Sequence, residues 1–363
     1  MKIGILTFHC AHNYGAVLQA FCLQEKLKKL GHDVYVINYR PSYIVDTIYR
    51  FSFKCWISKS IKGFFYKWSN EPFLIFDRKS RYDSFMHFIN DNLRLYPYNA
   101  DSDYSEFDAL ILGSDQIWNR DITGGSYDDT FFGKKAKCKV ISYAASNKSF
   151  ELEQNEVEYF RDALSHLSAI SVRELSLAKL LQPLVLDNYI FTVVDPTLLA
   201  GKEVLSRFVS CSNKPYKNPY VFIYELSSHD ETLNVANSVA KQLNADIIEL
   251  EGCWSAKRLK QKDMATSPEK FVEYIANAAC IVTTSFHGTA LSIIFNKPFY
   301  AIKQNNSSDN RISSLVNKLR LEKRFLNKGI LPTFELIDYK DINLALEKEV
   351  VLSENFLKES LSK

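Results

Sequence analysis

The sequence lacks several features that would assign it to common protein classes. No uncharged apolar run approaches the roughly 18 residues of a membrane-spanning helix, and the N-terminal run MKIGILTFHC is too short for the apolar region of a signal peptide. The seven cysteines include no C-x-x-C pair, which favours a reducing compartment over a disulfide framework. The formal net charge is only +3, which does not indicate a nucleic-acid partner. We therefore expect a cytoplasmic protein.

Familiar cofactor motifs are missing as well. Neither the loop Asn13–Gly15 nor the loop Gly113–Gln116 has the G-x-G-x-x-G spacing of a dinucleotide site or a Walker lysine. His9, Cys10 and His12 are metal-ligand types, but no fourth ligand is visible nearby. Adjacent residues at an extended strand end also point to opposite faces. We therefore predict no metal and no cofactor.

What the sequence does contain is an alternation of short β-rich runs with helix-length segments. Strand patterns cover residues 2–8, 33–39, 109–113, 139–145, 169–173, 190–194, 220–226, 245–250, 280–284 and 299–303. Strands joined by helices form right-handed parallel crossovers, so the predicted fold is α/β with two Rossmann-like, doubly wound domains facing a cleft. A polar, proline-containing stretch at 212–220 suggests domains of 1–205 and 206–363, the second ending in C-terminal helices.

Residues 50–100 do not follow this alternation and form a predicted insertion in the first domain, on the acceptor side. Residues 50–70 combine aromatic side chains at helical spacing with flanking lysines, a composition typical of an interfacial amphipathic helix. One interpretation is peripheral contact with the inner face of the cell membrane. The other is a helix packed on its own domain, and the sequence leaves both open.

The stretch TSFHGTALSIIFNKPF places a polar turn between a buried strand and an apolar helix. Such a turn points free backbone N–H groups into a cleft, and the helix dipole favours an anion there. His287 is therefore a candidate acid, because a bound anion favours the imidazolium form. Ser285, Gly288 and Thr289 are candidate binding residues of the same turn. The alternative is a histidine that only hydrogen-bonds the turn.

Three cations follow strand patterns and are candidate anion ligands. Arg173 comes directly after AISV, where a guanidinium can bind a carboxylate or phosphate through two N–H groups. Its alternative partner is Glu174 in a salt bridge. Lys303 and Arg311 follow the last long strand pattern and are candidate second ligands, with a solvated loop as the other interpretation for Lys303.

Three further loops carry polar side chains at strand ends. Asp195 begins an Asp-Pro-Thr sequence, which is first of all a helix N-cap signal and second a candidate base toward a sugar hydroxyl. The remaining candidates are hydrogen-bonding residues suited to a polyol or phosphate, with Asp115 as a second candidate base. They are Ser114, Asp115 and Gln116 after ALIL, and Asn13, Tyr14 and Gly15 after the first strand.

Taken together, these stretches resemble the polysaccharide pyruvyl transferase family. The resemblance rests on NYGAVLQA, FDALILGSDQIWN, ISVRE, VVDPTLL and TTSFHGTALSIIFNKPF, which occur in the family's order and span most of the chain. Residues 50–100 and the tail after about 325 carry little of it.

The resemblance implies a fold similar to the GT-B glycosyltransferases and transfer of the enolpyruvyl group of phosphoenolpyruvate to a sugar, forming a pyruvate ketal and releasing phosphate. It implies that His287 lies at the donor site and that Arg173 is a donor-anion ligand, with Arg311 or Lys303 as a further cation. Some branches have Arg-x-His where this chain has Ser285-Phe286-His287, so one cation is missing. The expected acceptor is a hexose unit of a lipid-linked surface-polysaccharide repeat.

Two other functions stay open at this point. A nucleotide-sugar-dependent GT-B glycosyltransferase has the same architecture, although no glutamate is placed as a ribose ligand. A non-catalytic polysaccharide-assembly protein is the second alternative, because one arginine is missing. The retained His287, Arg173 and Arg311 favour the enzyme.

Overall fold

A computed structural model describes residues 1–48, 73–147, 151–185, 188–210, 218–226, 230–251, 266–306 and 308–362. The predicted interfacial helix at 50–70 lies outside these residues. Within them, no helix is long and apolar enough to cross a membrane.

The first half of the chain builds a seven-stranded parallel sheet. Its strands are β1 (Lys2–Leu6), β2 (Asp33–Ile37), β3 (Leu95–Tyr96), β4 (Ala109–Leu112), β5 (Lys139–Ala145), β6 (Ala169–Val172) and β7 (Ile190–Thr192). Their spatial order is β3-β2-β1-β4-β5-β6-β7, which is the doubly wound order of a Rossmann sheet. Six of the seven strands were predicted from the sequence, and the two-residue β3 was not.

The second half builds a separate five-stranded parallel sheet. Its strands are β8 (Tyr220–Glu225), β9 (Asp246–Glu251), β10 (Cys280–Thr283), β11 (Phe299–Ile302) and β12 (Phe325–Leu326), in the order β12-β11-β10-β8-β9. This is the flavodoxin-like order, the other common doubly wound arrangement. The predicted α/β fold class with two Rossmann-like, doubly wound sheets is confirmed.

The helices of the described residues cover both sheets. They are α1 (Tyr14–Lys29), α2 (Ser42–Ile48), α3 (Phe73–Asn92), α4 (Gln154–Ser165), α5 (Leu175–Leu181), α6 (Pro196–Leu205), α7 (Asp230–Leu243), α8 (Pro268–Asn277), α9 (Phe286–Ile294), α10 (Asp309–Lys318) and α11 (Lys340–Ser362). Asn13 caps the start of α1, and Gly31 follows its end at a φ of 90°, as expected for a helix stop. Ser267 caps α8, and Pro268 is its first residue, a position that favours proline.

Each sheet has one place where the strand order reverses, and ligands bind at such places in open α/β sheets. In the first sheet the reversal lies between β1 and β4, and in the second between β8 and β10. The segments after β1, β4 and β10 contain three groups of candidate site residues: Asn13 to Gly15, Ser114 to Gln116, and Ser285 to Thr289. The topology therefore brings the candidate loops to the reversal points of both sheets.

The long C-terminal helix α11 packs on the first sheet, although it follows the second in sequence. Ser353 Oγ accepts a hydrogen bond of 3.0 Å from the Val194 amide. The Phe356 ring lies 5.2 Å from Phe191 and 6.4 Å from Tyr143, centroid to centroid. Residues 206–363, predicted as one domain, thus include a helix whose apolar face contacts the other half.

Candidate active site

The structure brings together residues that follow strands of both sheets. Ser114 follows β4, Arg173 follows β6, Asp195 follows β7, and His287 lies in the first turn of α9 after β10. Carboxyl ends of parallel strands share one edge of a sheet, which explains the clustering within the first sheet. The approach of His287 to the others joins the two halves of the molecule.

Asp195 is the centre of this cluster and is fully buried. Its Oδ1 accepts from the Thr197 amide (2.9 Å) and the Thr197 hydroxyl (2.7 Å). Its Oδ2 accepts from Arg173 Nη1 (2.9 Å) and Ser114 Oγ (3.1 Å), and lies 3.6 Å from His287 Nε2. Burial by itself raises the pKa of Asp195, but the nearby His287 and the Arg173 charge hold that pKa well below its usual value. Asp195 is therefore an anion that holds its neighbours in place.

Arg173 is buried and already has two carboxylate partners. Its Nε donates to Glu174 Oε1 (2.9 Å), its Nη1 to Asp195, and its Nη2 to Ser146 Oγ (3.1 Å). Burial by itself lowers the pKa of Arg173, but the charges of Glu174 and Asp195 outweigh it and raise that pKa. The guanidinium also lies 4.5 Å above the Phe286 ring, next to the start of α9. The predicted alternative, a salt bridge with Glu174, is present, and two of the five N–H groups remain for a ligand.

Arg311 extends from α10 toward the same cluster and differs from Arg173 in its partners. Within the described part of the chain, no ion pair of Arg311 is found. With the Gln116 amide oxygen turned toward it, that oxygen accepts from Nη1 (2.8 Å) and Nη2 (3.2 Å). Burial and the charge of Arg173 lower the pKa of Arg311, although three nearby carboxylates act in the opposite direction. Arg311 therefore lies beside the cluster as a cation without a carboxylate partner among the described residues.

His287 lies in a turn whose small residues are explained by hydrogen bonds and by close packing. Ser285 caps α9 by accepting from the Gly288 amide (3.5 Å), and the Thr289 hydroxyl donates to the Ser285 carbonyl (3.0 Å). A side chain at Gly288 would lie 2.4 Å from Thr283 Oγ1, so glycine is needed for packing. Ser285, Gly288 and Thr289, predicted as binding residues, build the turn that presents His287.

The loop before α1 also has internal contacts. Asn13 Oδ1 accepts from the Gly15 amide (2.9 Å) and the Ala16 amide (3.2 Å). Tyr14 is fully buried, and its hydroxyl donates to the Thr266 carbonyl (2.9 Å) in the other half of the molecule. Asn13 and Tyr14 were predicted to bind substrate, and the structure gives both a role in the scaffold.

Asp115 and Lys303 complete the predicted set. Asp115 is half-buried and has a φ of 81°, a backbone strain that is common at functional sites. Its Oδ1 accepts from the Gln116 amide (2.9 Å). Lys303 Nζ lies 5.3 Å from the Phe325 ring, and no contact joins it to Asp195 or Arg173 among the described residues.

Sequence reasoning missed two polar members of the cluster. Ser146 Oγ donates to Glu174 Oε1 (3.0 Å) and accepts from Arg173. Thr197 binds Asp195 through both its amide and its hydroxyl. Ser146 directly follows β5, so the rule that selected the other strand ends would have found it. Thr197 is part of the Asp-Pro-Thr sequence itself.

No group of three or more metal-ligating side chains occurs within the part of the chain that the structure describes. Three buried polar atoms at this site have no hydrogen-bond partner among the described residues: Glu174 Oε2, Thr284 Oγ1 and His287 Nε2. Buried polar atoms are normally satisfied, so these atoms are candidates for contact with a ligand.

A scan against protein-family models matches residues 13–306 to the polysaccharide pyruvyl transferase model. The chain belongs to the polysaccharide pyruvyl transferase family. The match covers both sheets except for β1 and β12, and it includes Ser114, Arg173, Asp195 and His287, whereas Arg311 lies just beyond its end. The family assignment makes this chain a transferase of polysaccharide synthesis.

Comparison with curated protein sequences finds no match. Among solved structures, UDP-N-acetylglucosamine 2-epimerase from Rickettsia bellii is similar at a TM-score of 0.45 and 14% identity, covering 98% of this chain and 97% of that one. The enzyme from Neisseria meningitidis is similar at a TM-score of 0.45 and 9% identity, covering 99% of this chain and 94% of that one. The enzyme from Methanocaldococcus jannaschii is similar at a TM-score of 0.47 and 13% identity, covering 98% of this chain and 93% of that one. These similarities say nothing about the substrate of this polysaccharide pyruvyl transferase family member.

Proposed function

We propose that this chain transfers the enolpyruvyl group of phosphoenolpyruvate to two hydroxyls of one sugar, forming a pyruvate ketal and releasing phosphate. Membership of the polysaccharide pyruvyl transferase family supports the class of reaction. The observation that carries the proposal is the position of Arg311 near His287, close enough to Arg173 for the two charges to repel each other. Two adjacent guanidinium groups repel each other, and an anionic substrate relieves that repulsion.

Phosphoenolpyruvate carries a carboxylate and a phosphate, and both need donors. Arg311 offers N–H groups that no carboxylate occupies within the described residues, and Arg173 offers two more. The N-terminus of α9 adds free amides and a favourable dipole. These groups together replace the hydration that the dianion loses on entering the cleft.

His287 is the proposed acid. Its Nδ1 edge is packed against Gly15, whereas its Nε2 lies 3.6 Å from Asp195 Oδ2 with no hydrogen-bond partner among the described residues, so we assign the transferred proton to Nε2. The proton moves to the methylene carbon of the donor, which becomes a methyl group. The adjacent carbon then bonds to the first sugar hydroxyl oxygen. The second hydroxyl oxygen displaces phosphate at that carbon, and of the two hydroxyl protons one restores the imidazolium and one leaves with phosphate.

The two candidate bases have different environments, and we assign them different roles. Asp195 is fully buried, accepts four hydrogen bonds and has a depressed pKa, which makes it a poor proton acceptor. Asp115 is half-buried, and it influences Arg311 and Arg173 electrostatically. We assign to Asp115 the acceptance of the second hydroxyl proton on its way to phosphate, and to Asp195 a positioning role toward His287.

Replacing Asp115 by asparagine is expected to lower turnover by about 10²-fold, because a positioned base typically contributes 10²- to 10⁴-fold. Donor affinity should change far less, since the substitution removes no donor ligand. Phosphate release measured against donor concentration separates the two effects. Asp101→Asn, at an exposed position, is the matched control. Unchanged turnover in Asp115→Asn would show that a residue other than Asp115 is the base.

The proposed acceptor is a hexose of a lipid-linked polysaccharide repeat, presented at the cytoplasmic face of the membrane. The test incubates the protein with phosphoenolpyruvate and a series of oligosaccharide acceptors, and follows phosphate release and acceptor mass. We expect one acceptor to gain the mass of a pyruvate less one water. Release of nucleotide from a sugar nucleotide, without phosphate release from phosphoenolpyruvate, would replace this proposal by a glycosyltransferase.

A further inference from the structure

The His287 ring has its backbone in one half of the molecule and both of its ring nitrogens against the other. Its backbone belongs to α9, which packs on the second sheet. Nε2 lies 3.6 Å from Asp195 Oδ2, beyond the last strand of the first sheet. The Nδ1 edge faces Gly15 in the first turn of α1, also in the first half. The orientation of the imidazole is therefore decided by residues that reach it across the interface.

Gly15 leaves no room for any side chain while His287 is in this position. A Cβ atom at Gly15 would lie 2.0 Å from Nδ1, 2.3 Å from Cγ and 2.5 Å from Cε1 of His287. The backbone does not require glycine there, because Gly15 has an ordinary helical conformation inside α1. Alanine would be favoured over glycine by helix propensity alone. The glycine is thus explained by the ring it contacts.

Tyr14 holds this part of α1 against the other half. Its ring stacks on Phe271 of α8 at 4.7 Å between centroids and lies 5.8 Å from Tyr224 of β8. Its hydroxyl donates to the Thr266 carbonyl at 2.9 Å. These contacts set how close the neighbouring Gly15 comes to His287.

We propose that Gly15 is a positioning residue, which holds the His287 imidazole against Asp195 when α1 is docked on the second half of the molecule. The meaning of this for catalysis rests on the proposed transferase function, but the contact itself does not. Docking of the two halves and orientation of the acid are then one event. A side chain at Gly15 pushes the ring away from Asp195 or holds the halves apart.

The test is a double-mutant cycle of thermal stability with Gly15→Ala, His287→Ala and both together. In the wild-type background we expect Gly15→Ala to lower the unfolding midpoint by about 3–8 °C, as overpacking does. In the His287→Ala background the same substitution should leave the midpoint unchanged or raise it, because the ring is gone and helix propensity remains. Ala16→Gly, one position along α1, should lower the midpoint equally in both backgrounds.

The decisive result is a change in unfolding midpoint that is negative in the wild-type background and zero or positive in the His287→Ala background. If Gly15→Ala does not fold but the double variant does, the contact is confirmed. If Gly15→Ala lowers the unfolding midpoint equally in both backgrounds, or if the double variant also fails to fold, the glycine is required by a residue other than His287 and the proposal is wrong. These measurements need neither donor nor acceptor, so their outcome is independent of the proposed reaction.

A spectroscopic measurement separates positioning from general stability. The ¹³Cε1 resonance of His287, assigned by its loss in His287→Ala, should shift in Gly15→Ala, because the distance to Asp195 changes. Ala16→Gly should leave it in place. Once an acceptor is known, kcat in Gly15→Ala should fall by at least about 10²-fold with KM for the donor nearly unchanged. A His287 resonance identical to wild type in Gly15→Ala would overturn the positioning role.

Discussion

Replacing His287 by glutamine is expected to reduce turnover by about 10²- to 10⁴-fold, the usual contribution of a general acid. Glutamine keeps a polar group near Asp195 but has no titrating nitrogen to protonate the donor's methylene carbon. The measurement is phosphate release from phosphoenolpyruvate at saturating acceptor. Donor binding, followed by calorimetry, should weaken much less than turnover, because the arginines remain.

His87→Gln is the matched control, since His87 is exposed on α3, away from the cluster. It should leave turnover and donor binding unchanged. A loss of less than tenfold in His287→Gln, with an unaltered unfolding midpoint, would remove His287 from the acid role. In that case Asp195 would also lose its proposed function as a positioning residue.

Replacing Arg311 by methionine is expected to weaken donor binding by about 10²- to 10⁴-fold, since two charge-assisted hydrogen bonds contribute about 1.5–3 kcal/mol each. The same substitution should leave the protein as stable as before or more stable. The cation has no carboxylate partner within the described residues, its environment lowers its pKa, and it is repelled by Arg173. Calorimetric titration of phosphoenolpyruvate and the unfolding midpoint measure the two effects.

The opposite directions of these two effects make the test specific. Arg320→Met, an exposed position just beyond α10, should change neither quantity. If Arg311→Met unfolds the protein at a clearly lower temperature and binds the donor normally, Arg311 is a structural residue. Arg173 cannot serve for the same test, because removing it leaves the buried carboxylates of Asp195 and Glu174 without their cation.

Hydrophobic periodicity predicted most strands of both sheets, and it failed where the pattern was too short. The two-residue strands Leu95–Tyr96 and Phe325–Leu326 carry no recognisable alternation. Both pair with a neighbouring strand of a sheet that is already formed. Their existence depends on that neighbour, which no local window contains.

The candidate site was predicted in outline because polar residues follow buried strands, and parallel strands end at one edge of a sheet. The individual roles of these residues could not be predicted from the sequence. Asp195 and Asp115 were equivalent candidates for the base in the sequence. The structure separates them by burial, since Asp195 is enclosed by hydrogen-bond donors and Asp115 is half-buried.

The sequence by itself determined the order of the longer strands and the family, because these depend on residues that are close along the chain. Only the tertiary structure decided which charges are paired and what Gly15 contacts. Arg173 has its carboxylates and Arg311 has none within the described residues, although the sequence offered both as candidate anion ligands. Gly15 meets a histidine from the other half. Charge pairing and close packing depend on distances across the fold, and sequence patterns report only on neighbours along the chain.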